Sequence, residues 1–424
     1  MAINTTWKVE IGTVGSPVDF TSRVMSMNIR QSVDVNVIGR GQATITLLNQ
    51  DGALTPGGGG TYSSTDWFAQ GVFVNASTDT GGAATSTDVF DGIVVDFDLE
   101  DDGVFSTVTI TAIDCLTVGG KSPGPSVASL AELTYMEQLG QFQQSASFGG
   151  TTLYLPVLGG TAIANIAQLN IGSGNPNTKS NNALSWPTLA DAWQQSLIPS
   201  ANDTMWATKI MATFSGNPQY HIRCIPEYNT PTNAYRNDFE FDPPSSLSGS
   251  KLPFDNDNFR QAFNNDTLIT QATVKGNYTG ATATTSSSGN VTVYGNRTVA
   301  YFDTLLVDST AVANMSTKLI NRYGTSRFTP VSLSVTASMV ETKAANAAES
   351  KWRNLLSIEN GIWQKVKVTW TGSGAASQTA YCIVKGRTIS VTPADTIVTL
   401  DLGNWYDNHA FILDEDELDY GRLG

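Results

Sequence analysis

Hydrophobic and polar residues alternate with a period of two along the first 117 residues. Trp7, Val9 and Ile11 share one parity. Ala43, Ile45 and Leu47 alternate with Thr44 and Thr46, and Val108, Ile110 and Ala112 alternate with Thr107, Thr109 and Thr111. Such a pattern buries one face and wets the other, so it predicts strands of an antiparallel sheet or barrel. Asp102-Gly103, between IVVDFDLE and FSTVTITAI, predicts a hairpin turn.

The texture changes at KSPGPS, where two prolines and a glycine mark a joint. Residues 118–258 read as an α+β middle segment of helices and irregular stretches. One helix is expected around Leu130 to Leu139. Another opens on Pro187, with Leu189, Trp193 and Leu197 recurring behind it. FDPPSSLSGSKLPFDNDN reads as a Pro/Ser/Asn-rich linker.

Strands return after Phe259 with TLITQATVKG, a Thr/Ser-rich hairpin tip and NVTVYGNRTVAYF. A helix follows, with Val312, Met315 and Leu319 as its apolar stripe and Asp308 or Ser309 as N-cap. Next come VSLSVTAS, a short Ala-rich helix carrying Trp352 and Leu355, KVKVTW, and AYCIVKGRTISVTPADTIVTLDLGN. Val398, Leu400 and Leu402 are expected to face inward near Val366 and Val368.

VFDGIVVDFDLEDDGVFSTVTITAID and CIVKGRTISVTPADTIVTLDLGN follow one plan: apolar strand, Gly, strand, acidic turn, strand, closing Asp or Asn. The echo suggests two similar β-barrels in a mainly β (α+β) chain. The expected domains are a first barrel over 1–117, the middle segment over 118–258, a second barrel with short helices over 259–407 and an acidic tail over 408–424.

One stretch fits this plan poorly. TLLNQDGALTPGGGGTYSSTDWFAQGVFV turns at Asp51-Gly52, touches down on Leu54, stops pairing at Pro56 and then carries Gly57 to Gly60. Consecutive glycines cost chain entropy, so packing alone does not call for them. A loop released toward a neighbouring subunit is the expected explanation.

Composition narrows the functional classes. The formal net charge of −14 disfavours a surface that grips phosphates, while an acidic wall would let DNA slide past. Cys115, Cys224 and Cys382 are dispersed and form no CxxC, which reads as buried thiols in a reducing compartment. MAINTTWKVEIG shows no basic-then-apolar leader. His221 and His409 lack metal-ligand spacing, and no GxSxG, Walker or dinucleotide fingerprint is present. Asp96, Asp98, Glu100, Asp101 and Asp102 lack the closing Glu of a calcium loop and read as a solvated turn. Asp414, Glu415, Asp416, Glu417 and Asp419 read as a solvated tail. No catalytic, metal-binding or cofactor-binding residue is assigned.

WKVEIG…DFTSRVMSMNIRQSVDV…GQATITLLNQDGALTP, VFDGIVVD…VTITAIDCL, NVTVYGNRT, LINRYG, VKVTW…VKGRTISVTPADTIVTLDLG and FILDEDELDYGRLG stand in an order that resembles tail-tip (baseplate) hub and minor tail proteins of long-tailed bacteriophages and gene transfer agents. The resemblance implies a virion structural protein rather than an enzyme. Its expected form is a homotrimer that caps the tail tube and forms the passage for DNA. Expected partners are the distal tail protein and tail tube, the tape measure protein and tail fibre or receptor-binding proteins, with DNA passing unbound and contact with the host envelope. No peptidase or lysozyme insertion is recognisable, so cell-wall cleavage is not expected. Alternatives are a hexameric distal tail protein and, in another class, a secreted polysaccharide-binding or -cleaving protein motivated by nine Trp.

Overall fold

A computed structural model describes residues 2–12, 17–32, 41–101, 103, 105–114, 239–263, 268–276, 280–304, 309–324, 328–358, 361–362, 364–372 and 377–404, with strand segments at 126–127, 147–148, 151–152, 184–185, 206–215 and 217–226. The first group of strands is β1 (Asn4–Gly12), β2 (Val18–Asp19), β3 (Val24–Ser32), β4 (Gln42–Leu48), β5 (Gly71–Asp79), β6 (Thr85–Asp101) and β7 (Ser106–Ile113). These are the alternating stretches of the sequence. Val9, Ile45, Val108 and Ile110 are fully buried, while Thr44, Thr46, Thr109 and Thr111 stay partly open. Gly103 takes the β6–β7 turn at φ +80°, and Asp101 accepts its N–H at 2.9 Å.

The middle segment contributes the short pairs β8 (Ser126–Val127) with β11 (Leu184–Ser185) and β9 (Ser147–Phe148) with β10 (Thr151–Thr152). A long hairpin of β12 (Trp206–Ser215) and β13 (Asn217–Pro226) follows, which the sequence reading did not anticipate. The expected helices at Leu130–Leu139 and Pro187–Leu197 lie outside the described residues.

The stretch expected to be a linker is instead packed into the fold. β14 (Phe239–Asp242) and β15 (Leu252–Pro253) run parallel to each other, and β14 runs parallel to β21 (Lys365–Thr371). Phe239, Phe241, Leu252 and Phe254 are fully buried. Four apolar anchors outweigh the local Pro/Ser composition. Lys251 closes the intervening turn on Asp242 at 2.7 Å.

The second group comprises β16 (Arg260–Phe263), β20 (Phe328–Thr336), β21, β22 (Ser377–Val391) and β23 (Thr396–Asn404). Between β16 and β20 sits a small unit of β17 (Gln271–Gly276), β18 (Thr282–Ser286) and β19 (Thr298–Thr304), with helices α1 (Ser288–Tyr294) and α2 (Ser309–Tyr323). It has its own core of Ala272, Val274, Val312, Leu319 and Ile320. NVTVY, expected as strand, is helix α1, which Gly295 ends at φ +76° and which leaves Val293 exposed. Helix α2 starts at Ser309, so an Asp308 cap lies outside the described residues. A helix that was not expected, α3 (Ala337–Lys343), is capped by Thr336, and the expected short helix follows as α4 (Glu349–Leu356), which buries Trp352 and Leu355.

Both groups belong to one 14-stranded sheet rather than to two separate barrels. The reason is the length of β22. Its first half pairs with β21 and its second half with β3 of the first group, both antiparallel. Among the described residues no strand pairing closes either group on itself. The inner face of the sheet and α4 form one hydrophobic cluster that includes Val9, Ile45, Ile110, Leu355, Val366, Val368, Val398, Leu400 and Leu402. The inward assignment of Val398, Leu400 and Leu402 therefore agrees with the structure.

The echo in the sequence has a counterpart in topology. In each group, taken in chain order, the first strand pairs with the second, the second with the fifth, the fifth with the fourth and the fourth with the third. These are β3, β4, β5, β6 and β7 in one group and β16, β20, β21, β22 and β23 in the other. Every one of these pairings is antiparallel. β6 and β22 each carry a bulge close to an internal glycine, Gly92 or Gly386.

Candidate functional site

Strand register places alternate residues of both groups on one outward face. Along one row lie Asp96, Thr111, Thr44, Asn28, Ser390, Ile397 and Thr336, contributed in turn by β6, β7, β4, β3, β22, β23 and β20. The adjoining row on the second-group side holds Gln42, Arg30, Thr388, Thr399 and Ser334. Hydroxyls bond one another across the strands, as in Ser334–Thr399 at 3.0 Å and Thr46–Thr109 at 3.4 Å. Thr and Ser at these positions pair across the strands and add no charge of their own. Asp96, Asp98, Glu100 and Asp401 are exposed on this face, as are Arg30 and Arg260.

The sequence showed half of this face as the outward threonines of β4 and β7. What it did not show is that β22 and β3 join edge to edge, which extends the face across both groups.

Beneath the joint lies Arg387, on the inward parity of β22 with Ile389 and Val391. Its Nη1 donates to the carbonyls of Leu355 at 2.6 Å and Ser357 at 2.8 Å, and its Nη2 donates to the Gln31 side chain on β3. Burial pulls this guanidinium down to about 9, so it stays charged at neutral pH. An arginine at an inward position of an alternating strand was the available signal, and the sequence reading passed over it. Near the same connection, Ile358 donates its N–H to the Asp88 carbonyl at 2.8 Å, and Trp352 bonds Thr5 at 2.9 Å.

The glycine-rich stretch is not a released loop. Asn49 is fully buried, accepts the Leu54 N–H at 2.8 Å and donates to Thr55 at 3.0 Å and Ser106 at 3.2 Å. Arg23 clamps Asp51 through two bonds of 2.8 and 2.6 Å and holds its carboxyl down at about 2. Tyr62 returns to bond the Ala53 carbonyl at 3.0 Å. Phe20 packs on Tyr62 and Trp67, and Trp67 stacks on Phe97 at 5.1 Å. Gly57 and Gly59 have φ of +70° and +77°, and a Cβ at Gly60 would lie 2.6 Å from Ala53 Cα. The fold therefore does require these glycines, contrary to the sequence expectation.

Among the described residues no group of His, Cys, Asp and Glu is placed to hold a metal. Asp96, Asp98 and Glu100 alternate along β6 rather than converging. His221 lies on β13 opposite Met211. Cys382 is fully buried, which pushes its thiol up to about 12 and leaves it inert. Cys115, His409 and the tail acids lie outside the described residues.

No known family model matches the sequence, and no curated protein matches it. The fold has counterparts among solved structures. The tail protein from Neisseria meningitidis MC58 superposes with a TM-score of 0.53 at 10% identity, covering 94% of this chain and 96% of that one. The chain carries a tail-protein fold. The 43 kDa tail protein of prophage MuSo2 from Shewanella oneidensis aligns at a TM-score of 0.49 and 11% identity, over 94% of this chain and 98% of that one. Structural similarity to the Neisseria tail protein thus extends over nearly the full length, whereas the ordered motifs lay at both ends and in the second segment.

Proposed function

We propose that the chain is a virion structural protein, the hub at the distal end of a bacteriophage tail, with no enzymatic role. The observation that carries this reading is the duplicated strand topology sharing one neutral-to-acidic face. A tail tube is expected to be six-fold, and a cap must offer it equivalent docking surfaces. Two similar strand groups per chain, taken three times around an axis, provide them with true three-fold symmetry. The Neisseria tail protein's fold supports a place in a tail.

In this reading the first segment, 1–117, docks on the tube and 259–407 supplies its counterpart, each group becoming part of a barrel-like ring. The hydroxyl face lines the passage, where DNA moves without being gripped. Neighbours are the distal tail protein or tube, the tape measure protein and fibre or receptor-binding proteins, and the tip contacts the host envelope. Electron microscopy of tails containing this chain is the test. Three copies around the tail axis are expected, and six copies in one ring would transfer the protein to the distal-tail class.

A further inference from the structure

The turn between β14 and β15 gathers three side chains that the hub reading leaves unused. Asp242 ends β14, and Lys251 directly precedes β15. Lys251 Nζ lies 2.7 Å from Asp242 Oδ2 and 3.8 Å from Glu240 Oε2. Glu240 and Asp242 are two residues apart on one strand, so they share a face. The Asp242 side chain is only 6% exposed, and Phe239, Phe241 and Leu252 around it in the chain and sheet are fully buried. Its Oδ1 is buried and has no hydrogen-bond partner among the described residues. A carboxylate oxygen left in that state is costly. Lys8 meets Glu10 at the same 2.7 Å, but that lysine is 52% exposed and no carboxylate oxygen of the pair is orphaned.

We propose that Lys251 and Asp242 condense into an isopeptide bond, with Glu240 carrying the protons. The resting pair is ionic, since the bond to Asp242 raises the amine above its ordinary 10.5. Transfer of one proton along the 2.7 Å contact creates the free amine and the carboxylic acid together, so no outside base is needed. The amine lone pair then attacks Asp242 Cγ. Glu240 accepts the proton that the nitrogen sheds and returns it to the departing hydroxyl, and one water leaves. Amine and acid thus become amide and water, and Glu240 ends as it began. Groups held in contact react as though at effective concentrations of about 10⁵–10⁸ M, which offsets the unfavourable condensation in water. The product cancels two opposite charges and puts an uncharged carbonyl where the orphaned oxygen was. It also fastens β15, at the edge of the sheet, to β14 across a turn whose Ser245, Ser246, Ser248 and Ser250 are exposed. Nothing in this chemistry rests on the hub reading.

The test is mass spectrometry of the purified full-length chain after prolonged incubation. Wild-type protein should be lighter than its sequence by one water, and its tryptic digest should hold a branched peptide that joins Asp242 to Lys251 and is uncut at Lys251. Lys251→Arg keeps the ion pair but cannot condense in this way, so it should show the full mass and a lower thermal midpoint. Glu240→Gln should fold normally and form the link about 100-fold more slowly. Wild-type protein at full mass, with Lys251 cut by trypsin, overturns the proposal. A lost water that maps to a succinimide at an Asp-Gly step, such as Asp51-Gly52, overturns it as well. A link that forms as fast in Glu240→Gln as in wild type removes Glu240 as the proton carrier and overturns the chemistry assigned to it.

Discussion

Arg387 donates from Nη2 to the side-chain oxygen of Gln31, a bond that crosses from the second strand group to the first. The same guanidinium holds the carbonyls of Leu355 and Ser357 at the end of α4. One buried cation thus ties together β22, β3 and the connection that fills the inside of the sheet. Removing one partner of such a network leaves the others desolvated and unpaired.

Arg387→Met is expected to destabilise the protein by about 3–5 kcal/mol, because Gln31 and both carbonyls lose their donor together. Thermal unfolding and soluble yield measure it. A midpoint within a degree or so of wild type would mean that water replaces the guanidinium without cost.

Gly361 protects the same network by lacking a side chain. A Cβ there would lie 1.9 Å from Arg387 Nη1 and 2.7 Å from the Leu355 carbonyl oxygen. Gly361→Ala should therefore reproduce much of the Arg387→Met loss, roughly 2 kcal/mol or more. Gly82→Ala, where a Cβ meets nothing within 4 Å, should leave the midpoint unchanged. Equal midpoints for the two alanine variants would refute the account.

The strands were legible from the chain alone because half-buried sheets impose a period of two, and Val9, Ile45 and Val398 sit where that period puts them. The duplicated hairpins were legible for the same reason. Three features were not. Phe239, Phe241 and Phe254 pack through contacts distant in sequence, which local Pro and Ser content conceals. NVTVY alternates as a strand would, but Gly295 and α1 geometry override it. The joint of β22 with β3 depends on the length of one strand relative to its neighbour, a relation that no local window contains.

Asp91 gives a pH dependence whose sign follows from its surroundings. Burial, and then the Asp88 carboxylate, push its carboxyl well above the ordinary 3.8. A folded-state acid with a raised pKa contributes its full stability below the unfolded value and loses it as pH rises through the folded value. Asp91→Asn should thus raise the thermal midpoint at neutral and alkaline pH and change it little near pH 4. A midpoint gain that is the same at both ends would show that the carboxyl does not titrate abnormally.

The outward hydroxyl face yields the prediction that bears most directly on DNA passage. Thr44 on β4 and Thr388 on β22 stand on this face in different strand groups, and both are half-buried rather than core residues. Lysine at either position leaves the inner cluster intact, so folding and particle yield should be normal. If the face lines the passage, each chain now presents two cations to the phosphate backbone, and transient ion pairs slow the sliding strand. Screening weakens them as salt rises, with a Debye length of about 30 Å at 0.01 M and about 8 Å at physiological ionic strength. The Thr44→Lys/Thr388→Lys double variant should therefore eject DNA more slowly than wild type at low salt and approach it at high salt. Wild-type ejection kinetics at low ionic strength, in particles shown to carry the variant, would place this face outside the passage.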